Sequence, residues 1–159
     1  MPNKYFIGKE GCLMTIREEQ RDLFTVPKDY ILVHCISADF AMGAGIAKEF
    51  TRRGVKARLI ENYCGMTKAG DCAVTAVTGW RLEFNLVTKE KYWQKPTYDS
   101  LKTALVNAKI LALMNDDKPV KFAMPRIGCG LDKLEWSKVR VIIEEVFADT
   151  NVEILVCVK

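Results

Sequence analysis

The hydrophobic residues of this chain follow two spacings, which predict strands that alternate with helices. Continuous apolar runs predict buried strands over residues 30–36, 120–124 and 152–158, the last one covered on both faces. Apolar residues at helical spacing predict helices over residues 99–115 and 136–148. Strands that alternate with helices are typical of a layered α/β domain.

The middle of the chain has a weaker hydrophobic pattern, from which further helices and strands are predicted. Residues 45–63 predict one or two helices broken at Gly54. Residues 72–78 and 82–88 predict adjacent strands around the turn Gly79-Trp80-Arg81. These elements fit the same alternation and leave no linker or repeat in the chain.

The start of the chain suggests a hairpin of residues 4–8 and 12–17. The run 17–22 that follows is more charged than a central strand permits. Because no linker divides the sequence, residues 1–159 are predicted to form one domain, a three-layer α/β/α sandwich with a central mixed sheet.

Two glycine-containing loops each follow a predicted strand. They are Ser37–Ala47, which opens a helix, and Pro125–Asp132, which precedes one. Loops at the carboxyl ends of strands are where open α/β sheets bind their ligands, and glycine lets backbone N–H groups approach an anion. Neither loop has the P-loop or the three-glycine dinucleotide pattern. The second loop is also compatible with a plain strand-to-helix turn in which Asp132 caps the next helix.

Composition narrows the class of protein. With 49% hydrophobic and 28% charged residues the chain is an ordinary globular domain, and a dispersed net charge of +4 does not establish nucleic-acid binding. No apolar run approaches the roughly 18 residues of a membrane span, and the N-terminus lacks a signal-peptide core. We therefore expect a cytoplasmic protein that does not contact a membrane.

Cysteine and histidine usage argues against disulfides and metals. The six cysteines are scattered, so we expect reduced thiols, and no pair has metal-ligand spacing. The single histidine, His34, lies within a predicted strand and is more plausibly a packed core residue than a catalyst. No metal and no cofactor are expected.

Three separated motifs resemble those of macrodomains. They are HCISADFAMGAGIAKEF (34–50), VTKEKYWQKPTY (87–98) and MPRIGCGLDKLEW (124–136). In order and spacing they are similar to the branch of the terminal ADP-ribose protein glycohydrolase of animals. The resemblance runs from about Asp22 to the C-terminus and leaves residues 1–20 outside.

The resemblance implies a catalytic pair and an ADP-ribose site. It assigns Lys89 as the nucleophile and Asp132 as its acid-base partner, although a lone lysine is usually a surface residue. Asp22 would accept a hydrogen bond from adenine, but Arg21 stands where the family usually has glycine. The other implied ligand-binding residues are Ile36, Ser37, Gly43, Ala44, Gly45, Ile46, Thr88, Ile127, Gly128, Cys129, Gly130 and Leu131. Of these, Ile36, Ile127 and Leu131 are equally compatible with ordinary core packing.

The implied function is an ADP-ribosyl hydrolase that releases ADP-ribose from a protein carboxylate, an acyl group or a DNA base. The basic and aromatic stretch 91–98 suits ADP-ribosylated DNA or a surface loop equally. The alternatives are a non-catalytic reader of ADP-ribose and an ADP-ribose 1''-phosphate phosphatase. We expect a monomer whose partner is ADP-ribose or an ADP-ribosylated substrate.

Overall fold

A mixed sheet forms the middle layer of the computed structural model, which describes residues 4–7, 11–79, 81–114 and 119–159. Within these residues the sheet has seven strands in the order β1-β2-β7-β6-β3-β5-β4. They are β1 (Lys4–Ile7), β2 (Leu13–Gln20), β3 (Ile31–Ser37), β4 (Cys72–Thr75), β5 (Glu83–Lys89), β6 (Lys121–Met124) and β7 (Glu153–Val158). The five inner strands run parallel, and β1 and β4 are antiparallel to their neighbours.

Helices cover both faces of the sheet, which confirms the predicted α/β/α sandwich. They are α1 (Gly45–Arg52), α2 (Val55–Tyr63), α3 (Tyr98–Leu113) and α4 (Trp136–Phe147). Helices α3 and α4 pack on one face, where Leu105 and Ile143 meet Phe122 of β6. Helices α1 and α2 pack on the other, where Phe50 and Leu59 share a core with Leu155. Successive strand residues point to opposite faces, so each inner strand supplies both cores.

The helix break at Gly54 is confirmed. Gly54 has a φ of +95°, a left-handed conformation that glycine adopts without strain, and it separates α1 from α2. The predicted helix over 99–115 begins one residue earlier, at Tyr98, because Thr97 and Ser100 form a capping box. This helix ends at Leu113, and Asn115 lies outside the described residues.

The initial hairpin is also confirmed, since β1 and β2 pair antiparallel, although residue 8 lies outside the described part. The charged run extends strand β2 through Gln20. Its residues 17–20 pair with β7, while the described residues of β1 pair only with residues 13–16. Ion pairs make this possible. Glu19 pairs with Arg17 at 3.3 Å, and Glu18 pairs with Arg126 at 2.9 Å.

Strand β4 ends three residues before its predicted end because the residues that follow it donate hydrogen bonds to a buried carboxylate. Glu83 is fully buried, and its carboxylate accepts hydrogen bonds from the backbone N–H groups of Val77 and Thr78 and from two threonine hydroxyls. The N–H groups that bind this carboxylate cannot also form the backbone hydrogen bonds of a β-strand. The predicted turn 79–81 includes Trp80, which lies outside the described residues.

The carboxyl ends of β2, β3, β5 and β6 lie at one edge of the sheet, because these strands are parallel. A bulge alters the pairing at this edge. Ile36 pairs with Val87 but Ser37 pairs with Lys89, so Thr88 is an extra residue of β5. Bulges re-aim side chains near active sites, and this one brings Lys89 level with the start of the loop after β3.

Among the described residues, no helix has both the length and the apolar character that a membrane crossing requires. Within the same residues, no cluster of three histidine, cysteine or acidic side chains has a geometry that would hold a metal ion.

Candidate functional site

A cleft of about 700 Å³ opens at this edge of the sheet, between the loops that follow β3, β5 and β6. All three loops contribute residues to its lining. The lining residues are Cys35, Ile36, Ser37, Ala41, Met42, Gly43, Ala44, Gly45, Ile46, Ala47, Lys89, Tyr92, Trp93, Gln94, Lys95, Pro125, Arg126, Ile127, Gly128, Gly130, Leu131 and Asp132.

Lys89 and Asp132 form an ion pair in this cleft. The Lys89 Nζ donates a hydrogen bond to Asp132 Oδ1 at 2.6 Å, and the two side chains are 14% and 18% exposed. Lys89 is the last residue of a strand that is otherwise buried, so its backbone is fixed by the sheet. The pair is therefore ordered and shielded, yet its polar atoms face a space large enough for a ligand.

Asp132 is held by a tightly folded loop. The Leu134 N–H donates to the Gly128 carbonyl at 2.8 Å, and the Lys133 N–H donates to the Gly130 carbonyl at 3.2 Å. Lys133 and Gly128 both have left-handed backbones, with φ of +61° and +73°. These hydrogen bonds determine where the loop presents the Asp132 carboxylate.

The loop after β3 carries backbone strain that its surroundings hold in place. Phe40 and Met42 have positive φ values of 54° and 48°, and both are buried. Such conformations are costly for residues other than glycine and tend to occur at functional sites. The Lys56 ammonium donates to the Ala41 carbonyl at 3.0 Å and supports this loop from α2.

Helix α1 begins at the cleft. Its N-cap residue is Ala44, and no described side chain caps its first turn. The free N–H groups and the positive end of the helix dipole make such a terminus favourable for an anion. Gly43, Ala44, Gly45 and Ile46, all of which the resemblance assigns to ligand binding, line the cleft here.

Most of the residues predicted from sequence come together in the cleft. Twelve of them line it, namely Ile36, Ser37, Gly43, Ala44, Gly45, Ile46, Lys89, Ile127, Gly128, Gly130, Leu131 and Asp132. Asp22, Thr88 and Cys129 do not line it. Thr88 is buried at the bulge, and the Cys129 thiol donates to the Ile127 carbonyl at 3.3 Å.

Asp22 follows β2 at the same edge of the sheet but lies outside the cleft. Its Oδ1 accepts a hydrogen bond from the Phe24 N–H at 2.9 Å, which caps a short 3-10 turn, and its Oδ2 is 3.1 Å from the Lys159 ammonium. These two partners lower the pKa of Asp22 below its ordinary value. The carboxylate is therefore ionised and able to accept a further hydrogen bond.

Histidine and cysteine side chains near the cleft are not poised for nucleophilic chemistry. His34 is fully buried, stacks on Phe50 with ring centroids 3.7 Å apart and shares a 2.6 Å hydrogen bond with Asn85. It is thus a packed core residue, as predicted. Burial and the nearby Asp132 carboxylate raise the pKa of the Cys35 thiol, which therefore stays protonated.

Sequence reasoning missed ten lining residues, which are Cys35, Ala41, Met42, Ala47, Tyr92, Trp93, Gln94, Lys95, Pro125 and Arg126. Tyr92, Trp93, Gln94 and Lys95 line the cleft, although their stretch had been considered only as a nucleic-acid contact or a surface loop. Arg126 also lines the cleft, and its guanidinium pairs with Glu18. The available signal was position, since Tyr92 to Lys95 lie three to six residues after Lys89 and the others lie within two residues of a predicted site residue.

Comparisons with known proteins give the family. No family model matches the chain. A bovine protein named ADP-ribose glycohydrolase OARD1 is 44% identical over 137 residues, which span 85% of this chain and 86% of that protein. A human protein of the same name is 43% identical over 137 residues, with the same shares covered.

Solved structures give the same fold. The macrodomain of Thermus aquaticus DarG superposes with a TM-score of 0.71 at 23% identity, over 91% of this chain and 98% of that one. A variant of the Oceanobacillus iheyensis macrodomain gives 0.74 at 15% identity, over 100% of this chain and 90% of that one. The chain therefore belongs to the ADP-ribose glycohydrolase OARD1 family of macrodomains, whose members are hydrolases.

Proposed function

We propose that this protein is an ADP-ribosyl hydrolase in which Lys89 is the nucleophile and Asp132 is the acid-base partner. The substrate is an ADP-ribosyl group joined through the anomeric carbon of its distal ribose to an acceptor. The 2.6 Å contact between the Lys89 amine and the Asp132 carboxylate is the observation that carries the proposal. A carboxylate at this distance can take a proton from the ammonium and return it to a leaving group.

The surroundings of the pair support a lysine nucleophile over other groups. The Cys35 thiol lines the cleft but stays protonated, and His34 is buried beneath it. Thiol and imidazole chemistry therefore have no poised group at this position. A reader of ADP-ribose would need neither an amine nor a carboxylate at the cleft wall.

Lys89 and Asp132 together can carry out every proton transfer and bond change of the reaction. Asp132 takes a proton from the Lys89 ammonium, and the free amine attacks the anomeric carbon. The bond from that carbon to the acceptor atom breaks, its electron pair stays with the acceptor, and Asp132 protonates the departing atom. The resulting glycosylamine gives a proton to Asp132 and opens to an imine, as Asp132 passes that proton to the ring oxygen.

Water then completes the turnover. A water molecule adds to the imine carbon while Asp132 accepts its proton. Asp132 then gives this proton to the nitrogen, and the carbon–nitrogen bond breaks with its electron pair on the Lys89 nitrogen. The free amine takes the proton of the new hydroxyl group as the aldehyde forms, and the sugar leaves as free ADP-ribose. Lys89 and Asp132 finish in their starting states, so the cycle needs no cofactor.

The rest of the cleft fits the remainder of the ligand. The uncapped N-terminus of α1 and the backbone around Gly128 and Gly130 would bind the diphosphate from its two sides. We also propose a monomer as the active state, since Lys89, Asp132 and the two glycine loops supply every group that the proposed reaction uses.

The test is to trap the imine and to compare three proteins. Wild type, Lys89→Ala and Lys89→Arg are incubated with a carboxylate-ADP-ribosylated peptide and with a base-ADP-ribosylated oligonucleotide, with and without cyanoborohydride. Wild type should release ADP-ribose from at least one substrate, and reduction should attach ADP-ribose to Lys89, seen by peptide mass spectrometry. Lys89→Arg is the matched control because it keeps the charge opposite Asp132 but cannot form the imine.

Both variants should lose at least about a thousandfold in rate. Equal turnover in Lys89→Arg would contradict the lysine nucleophile. Binding of ADP-ribose without release from either substrate by wild type would indicate a reader, and release of phosphate from ADP-ribose 1''-phosphate would indicate the phosphatase. The responding substrate identifies the acceptor as protein or DNA.

A further inference from the structure

We propose that Tyr92, Trp93 and Leu131 form an acceptor rim, which gives the enzyme a preference for ester acceptors with an aromatic or long hydrocarbon chain next to the scissile bond. The inference rests on the proposed hydrolase function and adds its acceptor specificity. It concerns three large apolar side chains that the catalytic steps above leave unused.

The position of the rim assigns it to the acceptor. Tyr92 and Trp93 follow Lys89 closely in the chain, Leu131 directly precedes Asp132, and all three line the cleft. The anomeric carbon must lie at the Lys89–Asp132 pair for the reaction to occur. Because the rim residues lie so near this pair in the chain, we assign them to the group beyond the scissile bond, while adenine lies at the far end of the ligand, beyond two riboses and the diphosphate.

The high exposure of these apolar side chains indicates a binding surface. Tyr92 is 65% exposed, Trp93 is 68% exposed and Leu131 is 66% exposed. Single exposed apolar residues are common on protein surfaces, but several gathered around a cleft mark a binding surface. An apolar group held between them would be removed from water together with the three side chains.

The rim is also held in place before any ligand binds. The Tyr92 N–H donates to Asp39 Oδ2 at 3.0 Å, and the Lys91 N–H donates to Gln94 Oε1 at 2.8 Å. The Lys95 ammonium donates to the Leu131 carbonyl at 3.2 Å, which joins the two loops that carry the rim. A fixed backbone lowers the entropy cost of binding and favours selection among acceptors.

The chemistry of the rim favours an apolar ester acceptor over a nucleic acid. Two aromatic rings and a leucine present hydrocarbon surface, while the nearby Lys95 amine is bonded to a backbone carbonyl. Nucleic-acid binding requires a row of cations along the backbone path, and here the net charge of +4 is dispersed along the chain.

The experiment compares two 1''-O-acyl esters of ADP-ribose, the acetyl ester and the 3-phenylpropionyl ester. Their leaving acids have nearly equal strength, so a difference in kcat/KM reports on contacts rather than on leaving-group ability. Wild type should prefer the phenylpropionyl ester by about tenfold, as expected when roughly 50 to 60 Å² of apolar surface is buried. Trp93→Ala and Tyr92→Ala should each reduce this ratio to about twofold or less.

Ile110→Ala is the matched control, since Ile110 is an exposed apolar residue of α3 that does not line the cleft, and it should keep the wild-type ratio. An equal rate on both esters, or a preference that survives in the Trp93→Ala Tyr92→Ala double variant, would overturn the acceptor rim. So would a Trp93-dependent preference for a base-ADP-ribosylated single-stranded oligonucleotide over both esters. Failure of wild type to hydrolyse any of these substrates would instead contradict the proposed function.

Discussion

The carboxylate of Asp39 accepts a hydrogen bond from the backbone N–H of Tyr92 at 3.0 Å and thereby joins two loops of the cleft. Its other oxygen accepts bonds from the Ser37 hydroxyl and, at 3.1 Å, from the Ala41 N–H. Burial alone would raise the pKa of Asp39, but these hydrogen bonds outweigh it and hold the pKa below its ordinary value. Asp39 is therefore ionised and acts as a brace between the loops after β3 and β5.

Removing this brace should impair both stability and turnover. We expect Asp39→Ala to lower the free energy of unfolding by about 2 kcal/mol, because several charge-assisted hydrogen bonds are lost. We expect kcat to fall by about tenfold or more, since Lys89 and the strained loop lose their common support. Asp39→Asn, which keeps one acceptor oxygen, should lie between Asp39→Ala and wild type. Urea unfolding and steady-state kinetics check both expectations.

Asp29→Ala serves as the control for Asp39. Asp29 pairs with Lys121 at 3.0 Å on the exposed surface and does not line the cleft. Its loss should cost less than about 1 kcal/mol and leave kcat unchanged. If Asp39→Ala turned over at the wild-type rate well below its melting temperature, the bracing role would be wrong.

A second prediction concerns the stability of the protein at mildly acidic pH. Burial lowers the pKa of His34 from 6.5 to about 4, although the hydrogen bond with Asn85 acts in the opposite direction. Between these two values the unfolded chain binds a proton at His34 that the folded chain does not bind. Stability must therefore fall as pH decreases through this window, by about 2 kcal/mol between pH 7 and pH 5.

The His34→Gln variant isolates this effect because the chain has a single histidine. Glutamine can still donate a hydrogen bond toward Asn85 but does not titrate. Urea unfolding at several pH values should give a smaller slope between pH 7 and pH 5 for the variant than for wild type. Equal slopes in the two proteins would show that His34 does not remain neutral on folding.

The sequence allowed the sandwich and the position of the cleft to be predicted, because both depend on local patterns. Continuous apolar runs such as 152–158 identify buried strands, and the glycine loops that follow two strands identify the ligand edge. Lys89 and Asp132 were singled out only through the resemblance of their motifs to those of macrodomains, and the parallel pairing of β3 with β5 and β6 brings these motifs together. Local pattern alone was sufficient for the sandwich and the ligand edge.

Features that depend on distant partners were not predictable from local patterns. The extension of β2 through its charged residues depends on partners far away in the sequence, since Glu18 forms ion pairs with Arg126 and Arg140. The bulge at Thr88 depends on the register between β5 and β3, which neither strand specifies alone. For the same reason the exposure of Trp93 became evident only when the loop after β5 was placed beside the cleft.

Thr88 provides a third prediction. Within the described residues its buried hydroxyl has no hydrogen-bond partner, and the residue does not line the cleft. Thr88→Val replaces the hydroxyl with a methyl group of similar size, so we expect the free energy of unfolding to rise by about 1 kcal/mol. We expect the affinity for ADP-ribose to stay unchanged, as measured by isothermal titration calorimetry.

Thr150→Val should have the opposite effect on stability. The Thr150 hydroxyl is buried as well, but it donates to the Phe147 carbonyl at 2.7 Å. Its removal should lower stability by about 1 kcal/mol. A loss of ADP-ribose affinity in Thr88→Val would support the ligand-binding role that the sequence resemblance assigned to Thr88.

The two glycines of the loop after β6 should respond differently to alanine. Gly128 has a φ of +73°, and a Cβ there would lie 2.9 Å from Leu134 Cδ1. We expect Gly128→Ala to lower the free energy of unfolding by about 1 to 2 kcal/mol. Because Gly128 also accepts the Leu134 N–H bond, the shift should move Asp132 and reduce turnover.

A substitution at Gly130 should affect ligand binding without affecting stability. A Cβ at Gly130 would meet no described heavy atom within 4 Å, and the residue lines the cleft. Gly130→Ala should therefore change stability by less than about 0.5 kcal/mol. If the loop backbone approaches the diphosphate as proposed, the new methyl group stands in the ligand's place, and calorimetry should show about tenfold weaker binding of ADP-ribose. Wild-type affinity in a fully folded Gly130→Ala protein would instead mean that the diphosphate does not bind against this side of the cleft.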